Sequence, residues 1–252
     1  MKENILKNLQ IGSDAIAKEF DVIHTEDLAK IAEELAAAYQ TLQGLLNKGD
    51  DDPTRLNDAD FQSALIYWSA LNTIFSGVDL LRRGYLKEPQ MLMRNALESF
   101  SAAYDIHVNP EKRDQLLQGS KKFDSTDSIA EAKKIFPIIG MWYGMLSDEF
   151  THVGRLHSLP HKVTNNLLSM GGHFDSSDQS LAKINLLAIL GTINVLDDLL
   201  ELTFIRHIPE PRFWERVDAT TYNHRPNREV IEKILADMKP LIKSLDNGGT
   251  IQ

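Results

Sequence analysis

Proton-exchanging side chains crowd one stretch of this chain, Trp142 to His161, which holds His152, His157, His161, Arg155, Ser147, Asp148 and Glu149. Groups of these types serve general acid–base or nucleophilic chemistry when they are brought together, because they exchange protons or stabilise charge at neutral pH. Helical spacing sorts them. At about 100° per residue, Tyr143, Ser147, Phe150 and Gly154 share one side of a helix, while Asp148, His152 and Arg155 share another. Ser147 and His152 then point about 140° apart, so no Ser–His nucleophilic pair is expected within the helix, and Ser147 reads as a hydroxyl bonded to the preceding turn. A second polar pair, Arg94 and Glu98, lies one turn apart on an earlier helix, with Asp105 on the same stripe. Such a pair serves as an intrahelical ion pair, or it orients a phosphate or holds a catalytic histidine.

Metal chemistry finds little support. Glu149-x-x-His152 has the spacing that carboxylate-bridged di-iron bundles use twice, but the nearest second copy, Asp21-x-x-His24, opens with Asp near the end of a weak helix. His157 and His161 are spaced like a two-histidine metal pair, which Pro160 misaligns. No metal site and no cofactor is expected. The absence of cysteine removes disulfides, thiolate nucleophiles and iron–sulfur clusters. Basic residues gather at Lys112, Arg113, Lys121 and Lys122, and again at Arg206, Arg212, Arg216, Arg225 and Arg228 beside Phe213, Trp214 and Tyr222. Arginines among aromatics suit RNA or an acidic protein partner, but Glu210, Glu215 and Asp218 dilute the charge, and the segment reads first as a packed, solvated loop.

Two resemblances follow from these residues. Arg155-Leu-His-Ser-Leu-Pro-His161 resembles the Arg-x4-6-His signature of HEPN domains, helical bundles that include metal-independent ribonucleases and defence effectors. The resemblance implies that His161 works as acid or base around a ribose 2′-hydroxyl, that Arg155 stabilises charge on the phosphate, and that two copies pair. More broadly, Arg94-x3-Glu98 followed by Tyr143-x3-Ser147-x4-His152 resembles uncharacterised bacterial all-helical proteins over about residues 60–160. It implies that Arg94, Glu98, Tyr143, Ser147 and His152 meet in space, with Arg94 bridging Glu98 to the later helix.

The elements that must position these groups are helical almost throughout. Apolar periodicity and capping residues predict helices over about 5–20, 26–46 with Thr25 as N-cap, 59–85, 88–108, 110–118, 128–136, 138–153, 176–206 and 228–245. Gly84 ends the third, Pro89 opens the fourth, and Ser176-x-x-Gln179 reads as a capping box. Residues 119–128 read as a loop and 161–175 as a loop with a short strand. Residues 208–227 are broken by Pro209, Pro211 and Pro226 yet carry aromatics that pack on the body.

At 252 residues with 42% hydrophobic content the chain can bury a large core. Its net charge of −9 opposes nonspecific binding to nucleic acid. The N-terminus lacks a secretion signal, and the most apolar window, Ile184 to Leu196, is too short to span a bilayer, so a cytoplasmic protein without a membrane segment is expected. The expectation is an all-α helical bundle of about eight helices with an irregular proline-rich C-terminal segment, one domain over 1–247 and a flexible tail at 248–252. Its function is expected to be that of a noncatalytic interaction or regulatory protein of a stress- or defence-related type, most naturally a homodimer. The competing expectation is a metal-independent HEPN-type ribonuclease using Arg155, His161 and His152, with Arg94, Glu98, Tyr143 and Ser147 as binding residues.

Overall fold

The computed structural model describes residues 13–48, 52, 55–118, 124–147, 163–164, 167–168, 172–174, 178–218, 221–225 and 229–246. Nine helices lie among them: α1 Ser13–Ile23, α2 Thr25–Leu46, α3 Asp58–Arg82, α4 Glu88–Val108, α5 Glu111–Gln118, α6 Ser125–Ile135, α7 Ile138–Met145, α8 Gln179–Thr203 and α9 Glu229–Asp246. The all-α bundle expected from the sequence is what the chain forms.

The bundle grows from the α3–α4 hairpin. Asn57 caps α3, its side-chain oxygen accepting from the N–H groups of Ala59 and Asp60 at 2.9 Å each. At the other end Gly84 adopts φ 81°, and a Cβ there would sit 2.7 Å from the backbone nitrogen of His173, so no other residue fits this turn without strain. The short link folds α4 back antiparallel: Ser63 near the start of α3 donates to the Ala103 carbonyl near the end of α4 at 2.8 Å. α8 inserts against this hairpin, packing on α2, α3, α4 and α9. Leu181, Ile184, Ile189, Ile193, Leu196 and Leu199 are among its buried side chains, which explains why its sequence is apolar nearly all round. The amide nitrogen of its buried Asn185 donates to the carbonyls of Leu86 and Leu181 at 2.8 and 2.9 Å, while Oδ1 has no partner among the described residues.

Several boundaries move for local reasons. Thr25 does not cap α2; His24 stands at that position without a side-chain bond, and the Thr25 hydroxyl donates back to Asp21 O at 2.6 Å, so α1 runs almost directly into α2. Asp124 caps α6 by accepting from Thr126 N at 2.8 Å, which starts that helix three residues before the expected Ser128. Helix α8 begins at Gln179 with no side-chain capping bond from Asp178, and it ends at Thr203 in turns that carry the chain to the proline-rich stretch; Ser176 of the expected capping box lies outside the described residues.

Two small antiparallel hairpins occupy the segments that resist helix. β1 Val163–Thr164 pairs with β2 Leu167–Leu168, and β3 Trp214–Arg216 pairs with β4 Tyr222–His224 in the register Trp214↔His224. Among the described residues α3, rather than α8, is the helix long and apolar enough to cross a membrane. It buries Ala64, Tyr67, Leu71 and Ile74 and packs against α2, α4 and α8, as a core helix of a bundle does.

Candidate functional site

Arg94 and Glu98 stand one turn apart on α4, and α7 brings Tyr143 to them. Arg94 donates through Nε to Glu98 Oε1 at 3.1 Å and through Nη2 to the Tyr143 hydroxyl at 3.0 Å. Tyr143 donates to the same Glu98 oxygen at 3.2 Å, and the guanidinium carbon lies 5.2 Å from the phenol ring centroid. The three groups therefore form a hydrogen-bonded ring that runs through Arg94 Nε and Nη2, the Tyr143 hydroxyl and one Glu98 oxygen. Their neighbour Trp142 sets the position of α7. Its indole is fully buried, donates to Thr192 Oγ1 at 3.0 Å and lies so close over Gly191 that a Cβ there would meet the ring at 2.2 Å.

The meeting of side chains implied by the family resemblance is thus seen for Arg94, Glu98 and Tyr143. Ser147 does not join them. It is buried, and its hydroxyl has no hydrogen-bond partner among the described residues. The expected bond to the preceding turn is not made; α7 gives way to a π turn at Leu146–Ser147, where the Leu146 N–H reaches both Trp142 O and Tyr143 O. His152, Arg155 and His161, with Asp148, Glu149 and His157, lie outside the described residues.

Asp105, on the same stripe as Glu98, is a buried hub. It accepts from Asn109 Nδ2 at 2.8 Å, Ser128 Oγ at 2.9 Å and Lys112 Nζ at 2.6 Å. This spends Lys112, one of the basic residues noted in the sequence, on tying α4 to α5 and α6. Asp21 is likewise spent, accepting from Arg82 Nε at 2.6 Å; that hydrogen bond holds its carboxyl below the usual range.

A second constellation escaped the sequence reading. The His107 ring at the end of α4 places Nδ1 2.6 Å from Asp60 Oδ1 at the start of α3, and Asn57 Nδ2 donates to Asp60 Oδ2 at 2.7 Å. These residues line a cleft of about 700 Å³ with Tyr104, Leu202 and Arg206. Burial pushes the Tyr104 hydroxyl up to about 12, so it stays protonated. The signal that could have found the pair is the hairpin itself: a short link between two long helices reflects the start of one onto the end of the other.

A third group gathers where α8 meets the β3–β4 hairpin. Glu201 accepts from the backbone N–H groups of Arg212, Phe213 and Trp214 at 2.7, 2.6 and 2.8 Å, and Asp198 Oδ1 lies 2.6 Å from His224 Nε2. Among the described residues Asp197 beside them has no hydrogen bond to either carboxylate oxygen, although Arg212 approaches to 3.5 Å. Burial drives its carboxyl well above the ordinary value, against the pull of Arg212.

Fold and site together define an all-helical bundle whose sequence-legible polar cluster is a closed Arg–Glu–Tyr ring, and among the described residues no three His, Asp or Glu side chains gather to hold a metal ion. The chain matches no protein-family model, no curated protein and no solved structure.

Proposed function

We propose that this chain is a noncatalytic helical protein that works by association, pairing first with a second copy of itself. One observation carries the reading: the outer face of α3 is apolar and uncharged. Phe61, Leu65 and Phe75 are 42, 40 and 67% exposed, and from Phe61 to Val78 the helix has no charged side chain. Phe61, Leu65, Trp68, Asn72 and Phe75 fall within about 80° of arc at intervals of three and four residues, the spacing of a helix–helix seam. In a chain of net charge −9, an uncharged face is where two copies can approach without repulsion. The Arg94–Glu98–Tyr143 ring supports the noncatalytic half of the proposal, because a guanidinium already paired with Glu98 and bonded to Tyr143 is less available to a substrate phosphate. The stress- or defence-related setting rests on the HEPN-like resemblance of Arg155 to His161.

Sedimentation over a range of concentrations tests the pairing. The wild type is expected to dimerise and Phe75→Asp, at an exposed position that leaves the core intact, to stay monomeric; a wild type that is monomeric throughout sinks the proposal. Incubation with mixed RNA tests the other half. No cleavage is expected, whereas wild-type cleavage abolished by His161→Ala would install the ribonuclease reading in its place.

A further inference from the structure

The cleft beside the His107–Asp60 pair is lined by none of the seam residues Phe61, Leu65, Trp68, Asn72 and Phe75, and pairing does not explain it. Its volume of about 700 Å³ falls within the range of small-molecule sites. Val108, Ile135 and Leu202 supply apolar walls, and the first two are 39 and 41% exposed, surface that a ligand would cover. A neighbouring cleft of about 710 Å³ shares Ile205, Arg206 and Tyr222 with the first and adds Arg216, so the two form one continuous depression.

The charges in this depression run against the character of the whole molecule. Among the described residues Asp60 is the one carboxylate lining either cleft, and both its oxygens are already occupied, by His107 and by Asn57. Arg206 is exposed at the junction of the two clefts and makes no ion pair among the described residues. The Asp60 carboxylate accepts from His107 Nδ1–H, which holds the ring in one orientation and leaves Nε2 for another partner; Nε2 donates to an anion in the doubly protonated ring, the form that the Asp60 charge and a bound anion both favour. Tyr104, whose hydroxyl remains protonated, adds a donor. We propose that this depression binds a small organic anion with an apolar body, its charged group held between Arg206 and His107 and its body against Val108, Ile135 and Leu202.

The test uses the full chain and two fluorescent probes, anionic 1-anilinonaphthalene-8-sulfonate and uncharged N-phenyl-1-naphthylamine. The sulfonate is expected to bind the wild type at one site. Arg206→Gln should weaken it about tenfold, the scale of one charge-assisted contact, while changing the neutral probe less than about twofold. Ile135→Trp, which fills the cleft, should weaken both. His107→Gln serves as the second variant should Arg206→Gln misfold, and should also weaken the sulfonate selectively; circular dichroism and melting establish that each variant is folded. Competition by 1-naphthoate and 1-naphthyl phosphate reads the head group: displacement by either supports the site and tells carboxylate from phosphate, and displacement by neither overturns it. The proposal also fails if the wild type does not bind the sulfonate, if Arg206→Gln and His107→Gln leave its affinity unchanged, or if Phe75→Asp abolishes binding, which would place the probe on the outer face of α3.

Discussion

Asp197 sits 3% exposed on α8 with no hydrogen-bond donor on either oxygen among the described residues. Burial is the largest influence on it; Glu34, Asp198 and Glu201 add to the upward push, and the half-exposed Arg212 offsets only part. In the unfolded chain this carboxyl ionises near its ordinary value of 3.8, whereas the folded protein keeps the proton to higher pH. Folding therefore takes up a proton in the window between the two, and stability falls by about 1.4 kcal/mol for each pH unit within it, then levels off above the folded value. Asp197→Asn keeps the shape and removes the slope. The variant should melt above the wild type at neutral pH, by about 2–4 °C per kcal/mol recovered, with the gap closing toward acid pH. Melting curves collected across that range decide it, since a gap independent of pH would show that the carboxyl titrates normally. None of this could be read from the sequence, where Asp197 and Asp198 look like the polar end of an apolar helix. The Arg94–Glu98 pair was legible because helical spacing alone puts it together, and Tyr143 came to it only through a family resemblance.

Elements were legible where periodicity runs long and stops at a marked residue, as α3 does at Gly84 and α4 does before Asn109-Pro110. They were illegible where a distant partner decides the backbone. Phe213, Trp214 and Tyr222 correctly marked the proline-broken stretch as packed, with Trp214 only 2% exposed, but no turn signature announced the β3–β4 hairpin. Its anchor is Glu201, a residue of another element, which neutralises three consecutive N–H groups that would otherwise lack partners. The indole of Trp214 adds a bond to Asp198 O at 3.0 Å. Glu201→Ala should release the hairpin from α8 at a cost of about 3 kcal/mol or more, given the strength of bonds to a charged acceptor. Glu201→Gln should cost less, because one carbonyl oxygen can still serve Phe213 and Trp214. Hydrogen exchange at residues 212–214 is the direct measure: protection should fall in the order wild type, Gln, Ala, and equal protection in all three would remove Glu201 from the role of anchor.

On the scale of the whole molecule, one buried apolar cluster runs from Phe20 on α1 through Tyr67, Phe100, Phe136, Trp142 and Ile193 to Met238 on α9. Helix α8 is its centre, so removing any neighbour exposes apolar surface of α8 as well, and partial unfolding gains little entropy for the surface it uncovers. Short connections made part of this legible: helices joined by a few residues must fold back on one another, as α3 and α4 do. Placing α8 inside the bundle depended instead on contacts spread over the entire chain. If the cluster is one cooperative unit, unfolding in urea should follow a single transition whichever part is watched. The three tryptophans stand in separate places, Trp68 against Tyr39 with ring centroids 4.8 Å apart, Trp142 over Gly191 and Trp214 on the hairpin. Variants that retain one tryptophan each should share the transition seen by far-ultraviolet circular dichroism. Displaced midpoints in the Trp214 reporter alone would make the hairpin a separately melting flap. A displacement of Trp68 from Trp142 would split the bundle itself, because Trp68 reports on the contact of α3 with α2 and Trp142 on that of α7 with α8.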